Sequence, residues 1–362
     1  MADQLQLATR KGLFLLARRG GRFRVERVPF LGDPVTALLE DRRDGALYAA
    51  LNLGHFGVKL HRSDDGGRSF VEVRAPSFAA LEGGQGPSVA QIWTLAEGGV
   101  DEPGVLWAGT IPAALFRSAD RGESWSLVRS LWERPERRSW FGGGYPEPGV
   151  HSICVDPRDP RTLLLAISCG GVWFTSDAAA SFECRSRGMY AEYMPPERHE
   201  DPNIQDPHRL VQSPTHPDVL WVQHHNGVFR STDLAQRWTE VDAIRPSKFG
   251  FAVAVHPRDP ATAWFVPAAR DERRVPVDGC LRVARTRDGG RSFETFGQGL
   301  PEEHAYDLVY RHGLSVDPAG EELAMGSTTG HLWASSDGGE RWTLEAGHLP
   351  PIYQVAFRLA PR

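Results

Sequence analysis

The stretch RSDDGGRSF, residues 62–70, recurs as RSADRGESW at 117–125 and as RTRDGGRSF at 285–293. Written as Ser/Thr-x-Asp-x-Gly-x-x-aromatic, the pattern is complete four times: Ser63/Asp65/Gly67/Phe70, Ser118/Asp120/Gly122/Trp125, Thr286/Asp288/Gly290/Phe293 and Ser335/Asp337/Gly339/Trp342. Two copies carry Ala for Gly, at Thr175/Asp177/Ala179/Phe182 and Ser231/Asp233/Ala235/Trp238, and a worn copy, LARRGGRF, ends in Phe23. The six motif aspartates are spaced by 55, 57, 56, 55 and 49 residues, which marks a repeat architecture.

The chemistry of the motif is local. The Asp side chain can accept hydrogen bonds from N–H groups of its own turn. Gly admits a positive φ that other residues resist. The aromatic then begins a strand and buries itself between neighbouring sheets. Each motif Asp is therefore assigned a structural role rather than a catalytic one.

The flanking sequence repeats too. HSICVDPRDPRTLLLAISCGGVWFTSDAAASFECR (151–185) and HRLVQSPTHPDVLWVQHHNGVFRSTDLAQRWTEV (208–241) each alternate short apolar runs with Pro/Asp/Gly turns. Each repeat thus reads as a four-stranded antiparallel sheet, strands A to D. Such sheets cannot bury both faces alone and stack radially as propeller blades. The expected fold is all-β, a single-domain seven-bladed β-propeller over 1–362. Its blades fall at about 35–74, 89–129, 150–185, 207–242, 249–296 and 310–346. The seventh combines 352–359 with 5–28, so that the C-terminal strand closes the N-terminal blade and removes an open edge.

The tandem motif resembles the Asp-box (BNR) repeats of sialidase-like and glycosidase-like β-propellers over almost the whole chain. That resemblance implies hydrolysis of a glycosidic substrate. True sialidases open with an Arg-Ile-Pro motif. Here the Ile111-Pro112 pair follows Thr110, so sialidase activity itself is not expected.

Composition narrows the partners. Of 362 residues 24% are charged, with a net charge of −5 and no Lys/Arg block, which speaks against nucleic acid. The N-terminal apolar run is too short and interrupted for a membrane span or a leader, so a cytoplasmic protein without membrane contact is expected. Cys154, Cys169, Cys184 and Cys280 form no CxxC pair and are expected to be buried reduced thiols.

Blade connectivity places A–B turns and motif turns at one face, and B–C hairpins and D–A connections at the other. The second face carries the long loops 74–91, 129–150, 185–208 and 267–279, and long loops on a rigid scaffold carry sites. His151, His208 and His312 each stand six residues before the Pro of their own A–B turn, near the start of an innermost strand; Phe251 and Tyr353 hold the same place in two other blades.

A small polar or anionic ligand is expected at this rim. Catalytic candidates are His151 and His208 for polarisation or proton transfer, with Glu197, Asp206 and Asp271 as acid/base carboxylates. Lys59, His55, His225, Arg274 and Tyr353 are the substrate-binding candidates. A second reading has His151, His208 and His312 holding a divalent transition metal. A third has the rim bind a protein partner as a non-catalytic scaffold, and the plainest is a solvent-filled channel mouth.

Overall fold

The structure is a computed structural model that describes residues 3–79 and 86–358. Parts of the expected 74–91 loop, and Leu359 of the expected closing strand, lie outside the described residues. Seven four-stranded antiparallel sheets are present, and the fold is an all-β, seven-bladed β-propeller. Helical segments among the described residues are short, the one α-helix being Arg129–Trp132. None is long and apolar enough to cross a membrane.

By backbone contacts the chain divides into two compact units. The three-sheet unit holds Asp33–Arg185 and Pro202–Asp206. Its sheets start from Val35–Glu40, Gln91–Glu97 and Val150–Val155. The four-sheet unit holds Met1–Gly32, Ser186–Asp201 and Pro207–Arg362. Three of its sheets start from Pro207–Gln212, Gly250–Val255 and Leu314–Val316. The fourth joins Gln4–Thr9, Gly12–Arg19 and Arg22–Arg27 to Ile352–Arg358, pairing Leu7 with Val355.

The motif turns are built as the sequence specifies. Ser63 Oγ donates to Asp65 Oδ1 at 2.8 Å and accepts from Gly67 N at 2.8 Å. Asp65 Oδ1 also accepts from the backbone N–H groups of Arg68 and Ser69, both at 2.9 Å. Thr286, Asp288 and Gly290 repeat the geometry, as do Thr175 and Asp177 with Ala179. Ala179 and Ala235 still adopt φ of 68° and 64°, so the hydroxyl-to-backbone bond enforces the left-handed conformation even without Gly.

Motif aromatics pack between sheets. Trp342 joins Trp264, Trp333 and Met325 in one core cluster, and Phe182 joins Trp107, Trp173 and Leu165 in another. The A–B turns carry a second recurrent device. Asp156 Oδ1 accepts from Arg158 N at 2.9 Å, and Asp317 Oδ1 accepts from Glu321 N at 2.8 Å. None of the four cysteines is in a disulfide; the expectation of buried thiols holds for Cys169, whereas Cys154, Cys184 and Cys280 are half-buried.

One strand start differs from the sequence expectation. The strand assigned to His312 begins at Leu314; His312 instead makes an isolated parallel bridge with Gln354. Gly313 explains the delay. Its N–H donates to Tyr310 O at 2.7 Å in a turn, so only its carbonyl, which accepts from Gly326 N at 2.8 Å, serves the sheet.

Candidate functional site

The innermost strands share one irregularity. Pairing slips by a residue between Val35 and Ala37, Ile92 and Thr94, Val150 and Ser152, and Pro207 and Arg209. The extra residues are therefore Thr36, Trp93, His151 and His208. A similar slip spans Phe251 between Gly250 and Val253. In the closing strand the shift opposite Ala8/Thr9 leaves Tyr353 as the extra residue. A bulge releases a side chain from the strict in–out alternation and re-aims it, which is why bulges cluster beside functional sites. The shared spacing of His151, His208, Phe251 and Tyr353 in the sequence is thus a shared backbone device. Trp93 and Thr36 belong to the same set; the spacing to a turn Pro missed them because Gly99 and Arg42 stand where the other turns have Pro.

In the four-sheet unit the device builds a compact aromatic and cationic cluster. His208 is buried and lies parallel to Phe251, ring centroids 4.3 Å apart and planes 9° apart. Its Nδ1 sits 2.6 Å from Gly250 O. A carbonyl only accepts, so Nδ1 carries a proton, and in the neutral ring the lone pair is then on Nε2. His225 meets His208 edge-on at 5.3 Å, and Tyr193 meets His225 at 4.9 Å. Phe249 closes the back of both imidazoles.

Two guanidiniums border the same ring. Arg311 stands 5.4 Å and Arg274 5.5 Å from the Phe251 centroid. Arg274 is also paired with Asp271. The support is polar and buried: Gln223 Nε2 donates to the carbonyls of His224, Gly227 and Lys248, at 3.1, 3.2 and 2.9 Å. These bonds hold the hairpin that presents His225.

Other predicted residues of this unit stand outside that cluster of rings. Glu197 is exposed in the short turn Pro196–Arg198. His312 accepts from Arg209 Nη1 at 2.9 Å, which engages the lone pair a metal would need. Tyr353 is half-buried on the closing strand.

The three-sheet unit holds the rest. His151 is fully buried, its Nδ1 3.0 Å from Ser152 Oγ and its ring 5.5 Å from Trp93. Trp93 also meets Tyr145 edge-on at 5.4 Å. Asp206 is buried and accepts from Cys169 N at 3.1 Å. Gly143 lies against it, since a Cβ there would come 3.1 Å from Asp206 Oδ2. Lys59 is ion-paired with Glu72 at 2.8 Å, and that bond holds the Glu72 carboxyl below its usual range. His55 is exposed beside Phe56.

No family model matches the chain. A probable oligoxyloglucan-reducing end-specific xyloglucanase of Neosartorya fischeri is 27% identical over 181 residues, which is 48% of this chain and 21% of that relative. The solved glycoside hydrolase family 74 (GH74) xyloglucanase of Xanthomonas campestris superposes with a TM-score of 0.67 at 17% identity, over 95% of this chain and 53% of that one. The chain thus spans about half or less of these relatives' length. YCF48 bound to D1 peptide superposes with a TM-score of 0.52 at 14% identity, over 94% of this chain and 83% of that one. The likeness to these solved structures is one of fold.

Proposed function

We propose that the four-sheet unit carries a hydrolytic site for a small polar or anionic ligand, glycosidic in class. The observation that carries this reading is the tautomer of His208. With Nδ1–H held by Gly250 O, Nε2 is a fixed basic nitrogen backed by Phe251. Such an imidazole can take a proton from water or a substrate hydroxyl. Arg274 and Arg311 supply positive charge beside it. Glu197 and Asp271 are the proposed carboxylates of this unit. The fold likeness to xyloglucanases, and the partial sequence likeness to one, support a glycan as substrate class.

The test is a panel of xyloglucan oligosaccharides and aryl glycosides assayed with wild type, His208→Ala and Asp271→Asn. Turnover in wild type that falls by roughly 10²-fold or more in His208→Ala, the range for a lost general acid–base group, is the expected result. Equal, background rates in all three would sink the reading.

A second reading rests on the same nitrogen. An imidazole whose Nδ1–H is tied to a carbonyl is the usual form of a metal-bound histidine. His208 with His225 would then hold a divalent transition ion, and Asp206 is the nearest carboxylate in sequence. Elemental analysis of the purified protein decides it: stoichiometric metal lost in His208→Ala supports it, and metal-free protein removes it.

A further inference from the structure

At the other end of the Pro207–Gln212 sheet from His208, one position breaks a rule that two other blades keep. In two blades the third-strand residue before the motif Ser/Thr is an arginine that reaches the motif turn of the next blade, where it is answered by a glutamate three residues after the next motif Asp. Arg62 Nη1 donates to Glu123 Oε1 at 2.8 Å and to the carbonyl of Arg121. Arg285 Nη2 donates to Glu340 Oε1 at 2.9 Å, and its Nη1 donates to the carbonyl of Gly338 at 2.9 Å.

Arg230 is the third member. It pairs across the sheet with Trp221 as Arg285 does with Trp264. Its guanidinium sits on Gly289, the counterpart of Gly338: a Cβ on Gly289 would lie 2.8 Å from Arg230 Nη1, and one on Gly338 would lie 3.2 Å from Arg285 Nη1. The residue three after Asp288, however, is Arg291, not Glu.

The Arg230 side chain consequently has no hydrogen-bond or ion-pair partner among the described residues, and its Nε is buried unsatisfied. Its guanidinium stands over the Trp221 ring, 5.3 Å from the centroid. Asp259, whose charge acts on Arg230, is already engaged by Ala261 N and Thr262 Oγ1. Burial first, and then Arg291, push the Arg230 guanidinium below its usual pKa. A half-buried cation beside a second cation is costly unless a negative group joins them.

We propose that Arg230 and Arg291 form a carboxylate-binding site, in which a ligand takes the place filled by Glu123 and Glu340 in the sibling turns. A guanidinium pair presents several N–H donors in the fork geometry that carboxylates match. The site is remote from His208 within its own sheet, and its test is independent of catalysis.

The experiment compares wild type, Arg291→Gln and Arg291→Glu by thermal melting and by calorimetric titration with glutarate, against sodium chloride at equal ionic strength. Arg291→Glu supplies the missing carboxylate in cis. It is expected to melt a few degrees above wild type, the shift that about 1 kcal/mol produces in a chain of this class. It should also lose the glutarate response. Wild type should gain stability with glutarate beyond the salt control, and Arg291→Gln should show neither gain. A tetraglutamate peptide at matched carboxylate concentration separates sources: binding at least tenfold tighter than glutarate indicates an acidic protein segment, and equal binding indicates a free small acid. A glutarate shift no larger than that of chloride, or one that persists in Arg291→Glu, overturns the proposal.

Discussion

His208 and Phe251 belong to adjacent sheets of one unit, yet their rings lie parallel with centroids 4.3 Å apart. Both are extra residues at bulges of innermost strands. Phe251 also carries Arg274 and Arg311 at its border, so a single aromatic ring organises the imidazole and the two cations. Phe251→Ala is expected to destabilise the protein by about 3 kcal/mol, as for a buried aromatic leaving a cavity. Phe251→Leu should cost less. Urea denaturation of both variants checks the order. In the hydrolytic reading, Phe251→Leu should also lower kcat more than His225→Phe, because it removes the backing of His208.

The motif aspartates should show in acid. The hydroxyl of Ser292, and then its backbone N–H, hold the Asp288 carboxyl down to about 2 from an ordinary 3.8. Asp177 is held at about 2 by Ser181 and Thr175. A depressed carboxylate contributes stability that is complete above the unfolded value and is lost as pH falls through the folded one. The Tm gap between wild type and Asp288→Asn should therefore be widest above pH 4 and should close between pH 4 and 2. A gap independent of pH would remove the charge from the account.

His256 gives the opposite kind of test. It occupies the A–B turn position held by Asp156 and Asp317 in other blades, and its Nδ1 accepts from Arg258 N and Asp259 N at 3.1 and 3.0 Å. Only an unprotonated Nδ1 can accept. Burial pushes its pKa below 6.5. The unfolded chain then binds a proton before the folded one does, so stability is full above 6.5 and falls as the pH drops below it. His256→Asp keeps an acceptor without that proton. Its stability should fall less than that of wild type between pH 7 and 5, as melting curves across that range will show.

A buried ion pair joins the N-terminal strands to the blade before them. Arg18 Nη2 donates to both oxygens of Glu322, at 2.9 and 3.0 Å, and the Glu322 side chain is 4% exposed. Breaking such a pair leaves a stranded cation. Glu322→Ala should cost about 3 kcal/mol. Glu322→Gln should cost less, since its amide oxygen still accepts. The urea midpoints of the two variants rank them.

The blades were legible because their physics is local. A turn closed by Ser, Asp and Gly, then by an aromatic, requires only residues a few positions apart. Six such turns at nearly constant spacing fix the number of sheets and their strand order, and the pairing of Gln4–Thr9 with Ile352–Arg358 follows from the leftover strands. The equivalence of His151, His208, Phe251 and Tyr353 was legible for the same reason.

The site was not, because it depends on distances that no spacing encodes. Whether Glu197 faces solvent, whether Lys59 is consumed by Glu72, and whether His312 is consumed by Arg209 depend on neighbours far away in sequence. The sequence by itself determined the repeat, the blades and the ring positions, since hydrogen bonds within a turn and alternation along a strand are short-range. Only the tertiary structure decided which nitrogen of His208 carries a proton and that Arg230 sits on Gly289, in the turn that carries Arg291. Each of those facts is a contact between residues brought together by packing, and packing is a property of the folded chain as a whole.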